Sequence, residues 1–124
     1  MALLGRTGAG KTTLLSIIAG LVDADDGTVH LGGTDIAAEP DLAASLIGVA
    51  PQETGIYPVL TVAQNLEFFC DLAGVERSER RNQATSVAAR LGLTELMERR
   101  AGQLSGGEAR RLHTACALVH QPAC

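Results

Sequence analysis

Tryptophan is absent, and aromatic residues make up 2% of the 124, namely Tyr57, Phe68 and Phe69. Three rings cannot form a row of base-stacking platforms. An excess of basic charge is missing too. Ten Lys plus Arg face fourteen Asp plus Glu, a net charge of −4, which argues against a general nucleic-acid binder. The cysteines are few and odd in number: Cys70, Cys116 and Cys124. None forms a CxxC or a Cys/His pair at metal-ligand spacing, so reduced thiols in a reducing compartment are expected. The longest near-continuous apolar stretch, Leu14 to Val22, is broken by Ser16 and Gly20 and is far too short to cross a bilayer. No basic segment or cleavage motif follows Met1, so no secretory signal is expected. Repeats and low-complexity tracts are likewise absent.

What is present suits one globular domain: 46% hydrophobic residues in 124. Charge is uneven. Residues 1–60 carry two basic and seven acidic groups, net −5, and residues 61–124 carry eight and seven, net +1. Nine of the ten basic residues are Arg, and the one lysine is Lys11.

Ala2–Leu4 is short and apolar and predicts the end of a buried strand. Gly5–Gly10 is a glycine-rich turn, and residues 11–19 predict a helix closed by Gly20. Residues 23–27 predict a turn. Residues 28–31 and 34–36, joined by Gly32-Gly33, predict a hairpin. A short helix over 41–46 and a strand over 47–50, stopped by Pro51, follow. Thr61-Val-Ala-Gln64 fits a capping box, opening a helix whose apolar face is Val62, Leu66, Phe69 and Ala73, ended by Gly74. Helices over about 79–91, just after Thr94, and from Ser105 toward Val119 complete the chain. Arg77, Arg80 and Arg81 alternate with Glu76 and Glu79, the pattern of a solvated helix start. The order is an α/β start with an inserted helical layer.

Gly5-Arg6-Thr7-Gly8-Ala9-Gly10-Lys11-Thr12, with Thr13 following, matches GxxxxGK[ST]. Glycines let the chain curl so that successive amides point inward at phosphate oxygens. The next helix begins there, and its N-terminal dipole favours an anion. Lys11 would reach the outer phosphates as a point charge, and the Thr12 hydroxyl would serve Mg2+. A flexible glycine turn before a helix is the bland alternative.

Leu104-Ser105-Gly106-Gly107-Glu108 precedes the last helix. Taken alone it reads as a capping box, yet that leaves unexplained two consecutive glycines in a first helical turn, where they cost stability. Bare glycines there leave amides open to an anion. On the residues alone, capping and anion binding stand level. Together with the glycine loop, this segment resembles the LSGGQ signature of the ABC transporter nucleotide-binding domain, with Glu108 in place of Gln. Ala50-Pro51-Gln52-Glu53 resembles that family's Q-loop at a strand end, and Arg110-Arg111-Leu112 with Ala117–Pro122 its run into the next strand.

The resemblance covers essentially the whole chain. It implies an α/β P-loop NTPase fold, a RecA-like parallel-sheet core in truncated form with an ABC-type α-helical subdomain. The core with its β-hairpin and Q-loop is expected over 1–52, the helical subdomain over 61–105, and the signature helix over 106–124. It also implies ATP and Mg2+ as cofactors. ATP would be bound by Gly5, Arg6, Thr7, Gly8, Ala9, Gly10, Lys11, Thr12 and Thr13. Leu104, Ser105, Gly106, Gly107 and Glu108 would bind the γ-phosphate held by the opposite subunit. Lys11 and Gln52 would be catalytic, with Thr12 and Gln52 toward Mg2+. Arg6 and Thr7 fill variable positions. Cys116 stands where the family often has arginine and is expected as core filler. His30, His113 and His120 are expected to be structural or solvent-facing.

An apolar run ending in Asp-Glu, the Walker B strand of such ATPases, is not found, and Leu66–Asp71 falls on a predicted helix. The D-loop, switch histidine and adenine-stacking aromatic are also missing, and Tyr57 is a poor substitute for the last. A fragment of a longer domain is therefore expected, marginally folded, binding nucleotide weakly and hydrolysing it negligibly by itself. The implied partners are a transmembrane permease and a second nucleotide-binding domain, head to tail, with no nucleic acid. The implied place is the cytoplasmic face of the cell membrane. Gly48–Pro58 and Leu60–Leu66 most resemble prokaryotic multidrug or antibiotic export ATPases. Two rivals remain. DNA-repair or chromosome-maintenance ATPases share the signature, but they insert long coiled coils or zinc modules. Here only 40 residues separate Lys11 from Gln52 and 51 separate Gln52 from Leu104. The other rival is a truncated product with no activity of its own.

Overall fold

The structure, a computed structural model, describes residues 3–123. It divides into two units, residues 1–47 with 123–124, and Gly48–Pro122. Ala2, placed by the sequence at a strand end, and Cys124 lie outside the described residues.

In the first unit, α1 spans Lys11–Ile18. Its end is set by Gly20, at φ 68°. The Gly20 amide donates to Ile17 O at 3.0 Å and the Leu21 amide to Ser16 O at 2.9 Å. These two bonds satisfy carbonyls that a helix end otherwise leaves open, and the left-handed residue that makes them costs glycine nothing. Strands β1 (His30–Leu31) and β2 (Thr34–Asp35) pair antiparallel, with His30 opposite Asp35 and Leu31 opposite Thr34. Gly32 and Gly33, at φ 58° and 90°, supply the turn that matches strand twist in a two-residue hairpin. Helix α2 (Pro40–Leu46) starts one residue earlier than the sequence suggests, because proline suits the first helical position, where no amide bond is needed.

Two expected strands are not formed. Leu3 and Leu4 are exposed and irregular, and residues 47–50 lie in no ladder. Apolar runs state a preference, whereas a strand exists only through bonds to a neighbour. Among the described residues the one sheet is β1–β2. Ala43 alone of the described residues of this unit is buried. A cavity of about 510 Å3 runs among Ile17, Val22, Val29, Ile36, Ala43 and Ile47, so apolar side chains line a void instead of filling a core. None of its lining residues belongs to the glycine loop.

The second unit holds the core. Helices α3 (Val62–Leu72), α4 (Arg80–Arg90) and α5 (Gly106–Ala117) pack together, with short 3-10 turns at Thr94–Leu96 and Ala101–Gln103. Val62, Leu66 and Cys70 of α3, Ala84, Val87 and Ala88 of α4, and Leu112, Ala115 and Cys116 of α5 are buried together. The α3 face drifts from the expected one. Val62 and Leu66 are buried and Phe69 half-buried, but Ala73 is exposed and Cys70 takes the core position, following the i, i+4, i+8 line. Gly74 and Gly92 close α3 and α4 by the same two-bond cap as Gly20. Burial pushes the Cys116 thiol up to about 12, with Cys70 adding to the shift. Burial likewise raises the Cys70 thiol, against the pull of Arg80. Both thiols are protonated core filler.

Arg80 departs from the solvated reading. It is half-buried, its Nε donates to Val75 O at 2.8 Å, and its guanidinium pairs with Asp71. It ties the start of α4 to the end of α3.

Candidate functional site

Gly8 and Gly10 stand at φ 82° and 81°, a conformation strained for any residue with a Cβ. A Cβ at either would meet nothing within 4 Å, so backbone geometry, not crowding, requires glycine. The Ala9 amide donates to Arg6 O at 3.1 Å, curling the loop. Lys11 Nζ donates to Gly5 O at 2.8 Å and Arg6 O at 2.7 Å, spanning the loop from inside. The amides of Gly10, Lys11, Thr12 and Thr13 have no acceptor among the described residues. The exposed Thr12 hydroxyl makes no hydrogen bond among them either. The loop thus presents open donors, one ammonium and one free hydroxyl at the positive end of α1, a donor set that fits a polyphosphate with its divalent cation.

Helix α3 closes its start within the chain. Its Val62 and Ala63 amides donate to Arg99 O and Met97 O at 3.0 Å. The Gln64 amide donates to Thr61 Oγ1 at 3.1 Å and the Thr61 amide to Gln64 Oε1 at 2.9 Å, the expected capping box.

Helix α5 is different. The Ser105 amide donates to Glu108 Oε2 at 2.7 Å, and the Glu108 amide donates to Ser105 Oγ at 3.3 Å. The Gly106 and Gly107 amides have no acceptor among the described residues. A Cβ at either glycine would meet nothing within 4 Å. Capping and open amides therefore coexist here. Leu104 packs against the core and fixes the approach to the helix.

The bonds from the Ser105 amide and hydroxyl hold the Glu108 carboxyl below its ordinary range. A depressed folded value means that the cap's contribution is present above the unfolded carboxylate range and is lost as pH falls through the folded value. Glu108→Gln keeps an acceptor for the Ser105 amide. It is expected to abolish the acid-dependent shift of the Ser105 amide signal that the parent chain shows. Identical pH profiles in the two proteins would refute the cap's role.

Gln52 is exposed and lies in a bend, not at a strand end. It belongs to the same unit as the signature segment, whereas Lys11 belongs to the other. Tyr57 contacts Phe68 edge-on at 4.9 Å and Phe69 at 6.4 Å, so the aromatics form one structural cluster. His113 is buried, and burial with the Arg110 charge pushes its pKa down.

Two side-chain roles escaped the sequence reading. Asn65 is fully buried and bonds the 57–61 loop. A polar residue among the apolar positions of α3 was the available signal. Arg110 bonds the carbonyls of Pro51 and Gln52 across nearly half the chain, and nothing local marks it.

Solved structures carry the same fold, that of ABC ATP-binding subunits. The cbiO1 protein from Clostridium perfringens, part of the ABC transporter complex cbiONQ, superposes with a TM-score of 0.84 at 23% identity, over 96% of this chain and 49% of that one. The ABC transporter family model matches residues 1–124, and the chain belongs to that family, in its ATP-binding part. It is 41% identical over 97% of its length to the linearmycin resistance ATP-binding protein LnrL of Bacillus subtilis. It is 43% identical, again over 97%, to the molybdate/tungstate import ATP-binding protein WtpC of Archaeoglobus fulgidus. The chain spans 39% and 49% of those two relatives. Among the described residues no helix is long and apolar enough to cross a membrane.

Proposed function

We propose that this chain binds ATP with Mg2+ through Gly5–Thr13, and that in the complete protein two such domains close head to tail. The amides after Leu104 and Ser105 would then meet the γ-phosphate held by the partner domain. The observation that carries this reading is the contrast between helix starts. That of α3 is satisfied within the chain, while those of α1 and α5 offer glycine-bared amides. Lys11 would transfer from the loop carbonyls to the phosphates, Thr12 would serve the cation, and Gln52 would face the cation or the attacking water. Mg2+ would supply charge neutralisation at the phosphates. Hydrolysis and its coupling to transport belong to the complete protein, with a permease at the cytoplasmic face. The 124 residues alone bind weakly and hydrolyse negligibly.

Export is the proposed direction, supported by the likeness to LnrL and by the resemblance of residues 48–66 to export ATPases. WtpC, at 43%, supports import, and transport by the full-length protein in vesicles decides between them.

Lys11→Ala in the full-length protein should weaken ATP binding by about 10- to 100-fold, from a charge-assisted bond worth about 1.5–3 kcal/mol. Titration with magnesium nucleotide, read at the Gly8–Thr12 amides, tests it. Unmoved amide signals in the parent protein would end the reading.

A further inference from the structure

The loop after residue 50 has little of its own to hold it. Residues 51–57 form no helix and no strand. What fastens Pro51 and Gln52 is one side chain. Arg110 Nη1 donates to Pro51 O at 2.8 Å and to Gln52 O at 3.2 Å, across 59 and 58 residues of sequence. Both bonds are charge-assisted, and both use main-chain carbonyls. Gln52 therefore keeps its amide side chain for other partners.

Arg110 sits two residues beyond Glu108, immediately past the turn with the open amides. His113 packs beside it, its Nδ1 3.5 Å from the same guanidinium nitrogen. A Cβ at Gly55 would come within 3.8 Å of His113 Nε2, so the loop lies against this face of α5. The buried imidazole limits where the guanidinium can go and leaves it pointing at the loop.

We propose that Arg110 is a positioning residue that fastens the Gln52 main chain to the signature helix, so that Gln52 and the Gly106-Gly107 amides are set as one piece. The fastening itself is geometric. Its consequence for turnover rests on the function proposed above for Gln52.

The test uses the full-length ATPase and the variants Arg110→Ala, Arg110→Lys, Gln52→Ala and the double Arg110→Ala/Gln52→Ala. Backbone order parameters at residues 52–54 should fall from the rigid range of about 0.85 to below about 0.6 in Arg110→Ala, with those of α3 unchanged. Its kcat should fall by about 10- to 100-fold, the scale of a displaced catalytic group, with nucleotide affinity preserved. Arg110→Lys, one donor in place of a fork, should fall between. In the Gln52→Ala background the arginine change should cost nothing further. Unchanged order parameters at 52–54 overturn the fastening. Lowered order parameters with unchanged kcat, or full additivity in the double variant, overturn the link to Gln52. A Gln52→Ala protein with parental kcat overturns instead the reading of Gln52 on which that link rests.

Discussion

Replacing Asn65 with leucine should lower the stability of the helical unit by about 2–4 kcal/mol, although leucine shares the branching and heavy-atom count of asparagine and suits a helix better. The side chain is fully buried, and every polar atom in it is used. Oδ1 accepts from the Tyr57 amide at 2.8 Å, while Nδ2 donates to Tyr57 O at 3.0 Å and Thr61 O at 2.9 Å. Leu60 O lies at 3.4 Å from the same nitrogen. One amide thus replaces the ladder that the 57–61 loop lacks, and it also places Tyr57 against Phe68. Leucine would strand the Tyr57 amide. The carbonyls keep other donors: Leu60 O accepts from Ala101 N at 2.8 Å, and Tyr57 O from Leu60 N at 3.1 Å. The cost is therefore that of one orphaned amide and several weakened acceptors, not of four separate bonds.

Asn65→Asp separates the contributions. Its carboxylate still accepts from Tyr57, but its other oxygen faces carbonyls where a donor stood. Such a carboxyl has a raised folded pKa, so the variant should gain stability on acidification, until its protonated form can donate again. Urea melts at neutral and acidic pH read both effects. A leucine variant within about 0.5 kcal/mol, the scale of ordinary surface changes, would show that the loop holds without Asn65.

Features read correctly from sequence were those whose cause is local. The Thr61 and Ser105 caps, the Gly32-Gly33 turn and the glycine ends of α1 and α3 depend on residues within five positions of one another. The strand character of Leu3–Leu4 and of residues 47–50 was not, because apolar character does not supply a pairing neighbour. Asn65 was half legible, since its partners lie within eight residues but its burial depends on α4 and α5. The bond made by Arg110 was not legible: its fifty-nine-residue reach exists only once the helices pack. At the candidate site, the sequence indicated which amides could bind an anion, and the structure added which of them stay open.

Alanine at both Gly106 and Gly107 should move stability and function in opposite directions. Neither glycine has a positive φ, and a Cβ at either meets nothing within 4 Å. Alanine there should add about 0.5–1 kcal/mol per position to the stability of the folded chain. Gly48 and Gly10 show what an internally required glycine looks like. A Cβ at Gly48 would collide with Ala117 O, and Gly10 sits at φ 81°. Alanine at either should destabilise. Stability therefore gives no reason to keep Gly106 and Gly107; the reason proposed above is the phosphate that approaches the helix start from outside. Two methyl groups would cover the bare amides and hold a phosphate away from them. Turnover of the full-length protein should then fall by about 100-fold or more, the scale for losing preorganised donors to a developing charge. Thermal melts and ATPase assays on the same preparations read the two signs together. A double variant that melts higher and still turns over normally would leave the capping box as the whole meaning of the segment. One that melts lower would mean that the glycines serve the fold after all.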